Sequence, residues 1–447
     1  MTTYGGDEIS AIVIDIGSSL SKAGWSGEDS PKVIVPSYVG SIIEDEGNKN
    51  STTINADTTL INDVNNNNSI NTSSKKNNKK YIGDGQISCW RENMELKNPL
   101  KNGLIEDWDT LEDLWDYIFN EGLMIDPSEH PLFVSECSWN TRNIREKLTE
   151  LAFEKYQVQA FYVAKDAVLS AFSSGRSTGL ILDSGGGTTS AVPVSDGYVL
   201  KKGIIKQNFG GDFLSEQAAA LIESLYNITI IPRYKIKSKE AVDAGIPAKF
   251  VEYPRPNTTP SFHQYAMNQV MHEFKETICQ VSENPYRESI LKGRPLKCYE
   301  FPNGYNNSFG IERFKIPEIM IQPREFIIQK PNTEPIDTTN LLGIHELIYR
   351  SINLCDVDIR PNLYSNIVLT GGNTLFNGLM DRLNNELSML APGTKVRIHA
   401  SGNSAERKFG VWNGGSILSS LGTFHQLWIS KKEYEEIGKS IVEKRCN

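Results

Sequence analysis

One local pattern occurs twice in this chain, and it constrains the fold more than any other feature. An apolar strand runs into an aspartate and a glycine-containing turn, and a second strand follows, in residues 11–24 (AIVIDIGSSLSKAG) and again in residues 180–194 (LILDSGGGTTSAVPV). Glycines let consecutive backbone N–H groups point at one anion, and an aspartate at a strand end is placed to hold a hydrated divalent cation. The repetition predicts two related halves with a phosphate-bearing ligand between them.

The charged residues of the two hairpins indicate which ligand this is. Both copies place an aspartate at the end of the first strand, as Asp15 and Asp183, and the first copy adds Lys22 in its second strand. A lysine can reach phosphate oxygens, and aspartates suit the metal ion that accompanies them. The combination favours a nucleotide with its divalent cation, clamped between the halves.

Charge and cysteine content exclude several other classes of protein. The net charge of −9 and a pI near 5.4 argue against a protein that coats DNA, because non-specific DNA affinity comes mainly from basic residues. We expect no direct sequence-specific DNA binding. Six cysteines without a CxxC pair or zinc-type spacing are typical of free thiols in a reducing compartment. We find neither a signal-peptide pattern nor an apolar run of membrane-spanning length, and so expect a cytosolic or nuclear protein without membrane contact.

Strands and helices alternate along much of the chain. Apolar periodicity predicts helices near residues 109–118, 141–155 and 167–172, and short apolar runs predict strands at residues 131–135 and 161–163. Such alternation is typical of an α/β fold.

Two stretches depart from this alternation. Residues 37–80 are rich in Asn, Thr, Ser and Lys, which predicts a flexible insertion. The lysines of residues 75–80 favour a solvated surface, with a nuclear localisation signal as the alternative. Residues 210–335 are irregular, helix-rich and interrupted by prolines, and we interpret them as a peripheral subdomain inserted into the second half.

Two signals stand out near the end of the chain. Residues 365–374 (SNIVLTGGNT) form a strand that leads into Gly371 and Gly372, a geometry that brings backbone against a nucleoside. Ser430 and Glu433 have the spacing of a capping box, which predicts the start of a helix.

Five segments resemble the actin family. The most specific are WNGGSIL (412–418), WISKKEY (428–434) and CDVDIR (355–360). The start YGGDE (4–8) and the segment WRENME (90–95), with the expanded outer loop, are similar to the nuclear actin-related members of that family. The resemblance covers nearly the whole chain outside residues 37–80 and parts of residues 210–335.

The resemblance implies an α/β, actin-like duplicated ATPase fold with two lobes around a nucleotide cleft. The first lobe would comprise residues 1–158 with the outer insertion 37–80, and residues 411–447 would complete it. The second lobe would comprise residues 159–410 with the inserted subdomain at about 210–335.

The resemblance also implies which residues hold ATP and its Mg²⁺ or Ca²⁺. The metal would face Asp15 and Asp183. Residues of five segments would contact the phosphates, adenine and ribose, namely Gly17, Ser18, Ser19, Lys22, Ser184, Gly185, Gly186, Gly187, Thr188, Lys275, Glu276, Gly371, Gly372 and Lys408.

Three positions depart from the actin pattern and bear on catalysis. We expect Glu150 where actins have a glutamine that orients the attacking water, and Gly186 and Ser190 where they have an aspartate and a histidine. In-line attack by water needs positioned polar groups, so the loss of two of them predicts weak or absent hydrolysis. Glu150 is the one candidate catalytic residue, because a carboxylate there resembles the site of the heat-shock chaperones that hydrolyse ATP.

The resemblance favours an ATP-binding structural subunit of nuclear chromatin-remodelling and histone acetyltransferase complexes, which serve transcription and DNA repair. Its partners would be actin and helical scaffold or ATPase subunits, with histones or the nucleosome as further candidates. The alternative is a polymerising cytoskeletal actin-like ATPase, which is disfavoured because the polar insertion 37–80 replaces the outer loop that grips the next subunit. A small-molecule kinase shares the duplicated clamp but needs a base over an acceptor hydroxyl, and no candidate for that base is evident.

Overall fold

The computed structural model describes residues 10–42, 79–329 and 334–446. The strands of this part of the chain are β1 (Ile12–Ile16), β2 (Leu20–Trp25), β3 (Val33–Pro36), β4 (Val39–Ile42), β5 (Lys79–Ile82), β6 (Glu95–Lys97), β7 (Leu100–Lys101), β8 (Leu104–Ile105), β9 (Leu132–Glu136), β10 (Ala160–Lys165), β11 (Gly179–Ser184), β12 (Thr189–Ser195), β13 (Tyr198–Val199), β14 (Ile205–Gln207), β15 (Ile236–Lys239), β16 (Phe250–Glu252), β17 (Lys297–Glu300), β18 (Asn306–Phe309), β19 (Ile367–Thr370), β20 (Ile398–His399) and β21 (Ile429–Ser430).

The α-helices of the same residues are α1 (Asp84–Ile87), α2 (Trp108–Tyr117), α3 (Arg142–Glu150), α4 (Asp166–Ser173), α5 (Gly211–Tyr226), α6 (Pro260–Ile278), α7 (Glu288–Leu291), α8 (Glu312–Glu318), α9 (Pro323–Phe326), α10 (Ile344–Asn353), α11 (Arg360–Tyr364), α12 (Leu379–Leu390), α13 (Ser404–Ser420), α14 (Lys431–Ile437) and α15 (Val442–Arg445). Alternating strands and helices confirm the α/β class predicted from the sequence.

The two main sheets repeat one pairing scheme. In the first, ordered β21-β10-β9-β1-β2-β3, strand β1 pairs antiparallel with β2 and parallel with β9. In the second, ordered β13-β12-β11-β19-β20, strand β11 pairs antiparallel with β12 and parallel with β19. The duplicated hairpins are therefore the equivalent central strands of two related sheets, which confirms the predicted duplication.

Strand β10 corrects the predicted boundary between the halves. It pairs in parallel with β9, so the first sheet continues to Lys165 rather than ending near residue 158. Strand β21 from the C-terminal segment pairs with the other edge of β10. Pairing of β10 with a neighbour thirty residues earlier is not visible in local periodicity, which explains the misplaced boundary.

Apolar side chains bury both sheets against helices. Ile12, Ile14, Phe133 and Trp115 are fully buried in the first half, and Leu180, Leu182 and Ile367 are fully buried in the second. A fully buried side chain of this size stabilises the fold by about 1.5–3 kcal/mol relative to an exposed one. The rigid sheets fix where the hairpin turns lie.

Helices α4 and α13 connect the two halves at the base of the cleft. They pack against each other, and α13 also contacts β1 and β9 of the first sheet and β19 of the second. The indole Nε1 of Trp412 in α13 donates to the carbonyl of Val13, 3.0 Å away. Helix α13 is thus anchored directly beneath the first hairpin.

The outer parts of both halves are more ordered than the sequence predicts. Residues 39–42 of the expected insertion form strand β4, and its residues 79–80 begin strand β5, which pairs with β4; β4 also pairs with β6. The remainder of that insertion, residues 43–78, lies outside the described residues. The inserted subdomain contains helices α5 and α6 but also two hairpins, β15–β16 and β17–β18.

The structure also bears on the predicted capping box, on the cysteines and on membrane-spanning segments. Ser430 and Glu433 form the predicted capping box at the start of α14, an arrangement worth about 0.5–2 kcal/mol. All six cysteines lie in the described part of the chain, and each is a free thiol. Among the described helices, none combines the length and apolar character needed to cross a membrane.

Candidate functional site

The first hairpin presents Asp15 and Lys22 side by side at the end of β1. The two residues are register partners, and Lys22 Nζ lies 2.7 Å from Asp15 Oδ2. The other carboxylate oxygen of Asp15 accepts from Ser135 Oγ at 2.6 Å, at the adjacent end of β9. Both charged side chains are buried, so the local fold holds a carboxylate and an ammonium group at one sheet edge.

Hydrogen bonds from residues outside the turn between β1 and β2 hold the backbone of that turn in place. Ser37 Oγ donates to the carbonyl of Gly17 at 2.6 Å, and the backbone N–H of Ser37 donates to the carbonyl of Ser19. Asn98 Nδ2 donates to the carbonyl of Ser18 at 2.7 Å. These donors occupy the carbonyls of Gly17, Ser18 and Ser19, and the N–H of Gly17 donates to the carbonyl of Leu20 at 3.1 Å, so the backbone of the turn is fixed.

The second hairpin is braced by a helix N-terminus. The carbonyls of Gly185 and Gly186 accept from the N–H groups of Gly211 and Asp212, both at 2.9 Å, at the start of α5. Within the turn, the N–H of Gly185 donates to the carbonyl of Thr188 at 3.0 Å. The loop that we expected to hold phosphates is therefore fixed before any ligand arrives.

The two turns face each other across a narrow gap. A Cβ added to Gly187 would lie 2.9 Å from Ser18 Oγ, and one added to Gly186 would collide with Ser19 Oγ. Absence of side chains at these positions is what lets the loops approach. The structure thus brings the predicted phosphate residues of both halves together at one place.

The third loop packs on the second. Gly371 has a φ of +89°, which L side chains rarely adopt, and its N–H donates to the carbonyl of Arg407 at 3.1 Å. Asn373 Nδ2 donates to Ser184 Oγ at 3.0 Å, and that hydroxyl also bonds Thr189 Oγ1. The hydroxyl of Ser184, which we expected at the phosphates, instead ties the second loop to the third.

The expected nucleoside side is built from α6 and α13. Lys408 Nζ on α13 lies 3.0 Å from Glu276 Oε1 on α6, and Gly372 lies beside the aliphatic part of Lys408. Hydrogen bonding by His272 and by Lys408 lowers the pKa of Glu276 to about 2. This pair closes one wall of the cleft next to the third loop.

Lys275, the neighbour of Glu276, is buried at the start of α5. Its ammonium group donates to the carbonyl of Gly211, and burial lowers its pKa to about 8 against the opposing effect of Asp212. Lys275 thereby supports the helix N-terminus that braces the second loop.

A third carboxylate, Asp166, joins the expected metal residues. Asp166 is the first residue of α4, directly after β10, and Ser138 Oγ donates to its Oδ1 at 2.6 Å. Burial raises the pKa of Asp166 to about 6 and that of Asp183 to about 7. Repulsion from nearby carboxylates adds to the rise of each pKa. Such mutual repulsion shows that Asp15, Asp166 and Asp183 share one electrostatic environment.

This arrangement fits a hydrated divalent cation. Within the described ranges, no group of three or more His, Cys, Asp or Glu side chains is arranged to ligate a metal ion directly. Three carboxylates with Lys22 as the opposing cation leave a surplus of negative charge, which a cation held through water molecules would neutralise. Asp15, Asp166 and Asp183 are the residues that would hold it, and the ion would neutralise phosphate charge there.

Glu150 does not belong to this site, which corrects the sequence-based assignment. It ends α3, is partly exposed, and its Oε2 lies 2.7 Å from Lys439 Nζ in the C-terminal segment. Asp166 is instead the carboxylate whose charge contributes to the raised pKa of Asp183. The sequence contained a signal for Asp166, because this residue comes at the end of an apolar strand as Asp15 and Asp183 do.

The remaining departures from the actin pattern lie within the site. Ser190 is the register partner of Asp183, so it occupies the position in the second hairpin that Lys22 occupies in the first. Gly186 offers no side chain between the loops. Neither residue supplies a titratable group.

Comparisons with known proteins agree with this geometry. The family model described as Actin matches residues 6–447. The chain is 42% identical over 446 residues to a protein of Oryza sativa subsp. indica named Actin-related protein 4, a match that covers 99% of this chain and 100% of the relative. It is 41% identical to the Arabidopsis thaliana protein of that name (99% and 100% covered) and 37% identical to that of Schizosaccharomyces pombe (99% and 99% covered). Because the match spans the chain and the duplicated hairpins, this protein belongs to the actin family.

Proposed function

We propose that this chain is an ATP-binding structural subunit of nuclear chromatin-remodelling and histone acetyltransferase complexes. The observation that carries ATP binding is the meeting of the glycine turns beside Asp15, Lys22 and Asp183. Resemblance to the nuclear actin-related proteins supports the cellular role and the nuclear location. Bound ATP with Mg²⁺ or Ca²⁺ would join the two halves, with weak hydrolysis or none.

ATP with Mg²⁺ is expected to raise the melting temperature of the purified protein. A ligand present at a hundred times its Kd stabilises the native state by about 2.7 kcal/mol, which corresponds to a shift of about 3 °C for a chain of this size. Lys22→Ala should lower the ATP affinity by about tenfold to a hundredfold, because it removes a charge-assisted contact to phosphate. Thermal denaturation across an ATP series measures both effects.

The matched control is Lys32→Ala, which removes an exposed lysine that pairs with Glu28 on the surface of the same half. Its ATP-dependent shift should equal that of the wild type. A melting temperature that does not depend on ATP concentration would contradict the proposed ligand.

Partners are proposed to bind near the C-terminal end of α13. Leu421 and Leu427 are 41% and 43% exposed although they are apolar, and Ile417 beside them is also exposed. Unpaired apolar side chains grouped on a surface indicate a protein contact, and a helix from a scaffold subunit fits such a site.

Replacement of both Leu421 and Leu427 by aspartate is expected to abolish co-purification of actin and helical subunits with the tagged protein. Two carboxylates in an apolar contact cost enough desolvation energy to lower affinity by more than a hundredfold. Mass spectrometry of complexes purified from nuclei measures the loss.

The control for that experiment is the pair Leu296→Asp and Leu354→Asp, which are also exposed leucines but lie elsewhere. This variant should retain all partners.

Sedimentable filaments of the pure wild-type protein under conditions that polymerise actin would overturn the proposal in favour of the cytoskeletal alternative.

A further inference from the structure

One carboxylate lies against the second glycine turn but belongs to neither hairpin. Asp212 is the second residue of α5, and its N–H donates to the carbonyl of Gly186 at 2.9 Å. Its side chain returns to the same residue, because a Cβ added to Gly186 would lie 3.1 Å from Asp212 Oδ2. Gly186 has no side chain of its own, so α5 supplies a charged group at this point of the turn.

The carboxylate of Asp212 also faces the first half of the chain. A Cβ added to Gly186 would collide with Ser19 Oγ, so the hydroxyl of the first turn and the carboxylate of Asp212 approach the same residue. Burial raises the pKa of Tyr38, which lies between β3 and β4 in the first half, and the charge of Asp212 raises it further. Asp212 therefore borders the gap between the turns, where we expect the phosphates.

The position of Asp212 along this gap indicates which phosphate it would meet. The expected nucleoside wall lies beside the third loop, and that loop packs on Ser184 at the start of the second turn. Gly186 comes two residues later in the turn, opposite Ser19. A nucleotide whose nucleoside lies at the third loop would therefore place the phosphate farthest from its ribose beside Gly186 and Asp212.

Two groups on α6 act against the charge of Asp212, but each also has another partner. Burial raises the pKa of Asp212, and the charges of Lys275 and His272 oppose that rise. Lys275 donates to the carbonyl of Gly211, and His272 Nε2 lies 3.3 Å from Glu276 Oε1. Asp212 therefore remains a source of negative charge beside the turn.

This carboxylate is separate from the three at the sheet ends. The pKa values of Asp166 and Asp183 respond to neighbouring carboxylates, whereas the charges that shift the pKa of Asp212 come from α6. A hydrated cation held at the sheet ends would neutralise Asp15, Asp166 and Asp183. Asp212 faces the gap from another side, so the phosphates would meet its charge directly.

We propose that Asp212 faces the terminal phosphate of the bound nucleotide and lowers the affinity of the site for ATP relative to ADP. The inference rests on the proposed binding of ATP between the halves, and it names the residue that sets the preference between the two nucleotides. Like charges at close range repel each other, and the repulsion grows with the charge on the phosphates. ADP lacks the phosphate that approaches Asp212 and so escapes most of this repulsion.

The test is Asp212→Asn, which replaces one carboxylate oxygen by an amide group of nearly the same size. Isothermal titration of the full-length protein with ATP and Mg²⁺, and in parallel with ADP and Mg²⁺, measures both affinities. The affinity for ATP is expected to rise about tenfold and that for ADP less than about threefold, because one like charge near a phosphate is removed. A gain in affinity cannot arise from a variant that folds poorly.

Two further variants serve as controls. Asp212→Glu keeps the charge, so its ratio of ATP to ADP affinity should stay within about twofold of the wild type. Asp381→Asn makes the matched change in α12, where Asp381 also lies in the first turn of a long helix but is exposed and outside the site. It should leave both affinities unchanged. Thermal unfolding without nucleotide establishes that each variant is folded.

The outcomes separate this inference from the proposed function. If the wild type binds neither nucleotide, the proposed function and this inference both fail. If the wild type binds ATP but Asp212→Asn changes the two affinities by the same factor, or changes neither, the role of Asp212 is overturned while ATP binding stands. A selective gain for ATP that Asp212→Glu shares would also overturn it, since the charge is then not the cause.

Discussion

Replacement of Gly371 by alanine is expected to lower ATP affinity by at least a hundredfold. The new Cβ would collide with the carbonyl oxygen of Ser184 and lie 2.5 Å from Asp183 Oδ1. The φ of +89° adds strain for any residue with a side chain. Because backbone cannot rotate away as a side chain can, the third loop must move off the second, and Asp183 must move with it.

The same substitution should destabilise the free protein by about 2–4 kcal/mol, the sum expected for strain and overpacking. Urea unfolding measures that loss, and isothermal titration with ATP and Mg²⁺ measures affinity. Titration at a temperature well below the unfolding midpoint separates the two effects.

Gly393→Ala is the matched control, because it adds the same methyl group to a glycine that also has a left-handed backbone, with φ of +77°, but lies outside the site. Its Cβ would have no neighbouring atom within 4 Å. We expect affinity within about threefold of the wild type, which corresponds to less than 1 kcal/mol. ATP binding by Gly371→Ala at nearly wild-type affinity would show that the third loop does not contribute to the site.

Single-turnover hydrolysis of bound ATP is expected to be about ten- to a thousandfold slower than in a polymerising actin measured alongside. Gly186 supplies no polar group, and Ser190 is a serine beside Asp183 rather than an imidazole. Loss of one preorganised donor or acceptor typically costs that range in rate. ATP would then remain bound and would hold the two halves together.

The position of Asp166 in the structure indicates which carboxylate controls any residual hydrolysis of ATP. Asp166→Asn should reduce the residual rate by about a hundredfold if Asp166 accepts a proton from water, while the asparagine oxygen still accepts from Ser138. Glu150→Gln should leave the rate unchanged, because Glu150 pairs with Lys439 away from the loops. Quenched-flow assays with preloaded ATP compare the two variants directly.

Hydrolysis at the rate of the actin reference would refute the structural role proposed for ATP. Abolition of turnover by Glu150→Gln, with Asp166→Asn unaffected, would instead show that the site rearranges when the nucleotide binds.

Local signals determined much of this protein from the sequence alone. Strand-forming apolar runs, the aspartates that end them and the glycines that follow are adjacent in the chain, so the duplicated hairpins and the third loop were predictable. The capping box at Ser430 was predictable for the same reason, since its hydrogen bonds span three residues. These interactions depend on neighbours in the chain and need no knowledge of packing.

Contacts between distant residues were decided only by the tertiary structure. Asp166 reaches Asp183 because β10 joins the first sheet and α4 packs under the cleft, while Glu150, with an equally suitable side chain, turns toward Lys439. The hydroxyl oxygen of Ser184 accepts a hydrogen bond from Asn373, which lies 189 residues later in the chain. Trp90 likewise donates to Thr258, 168 positions away. Such pairings follow from how two sheets are oriented, and no local spacing encodes that orientation.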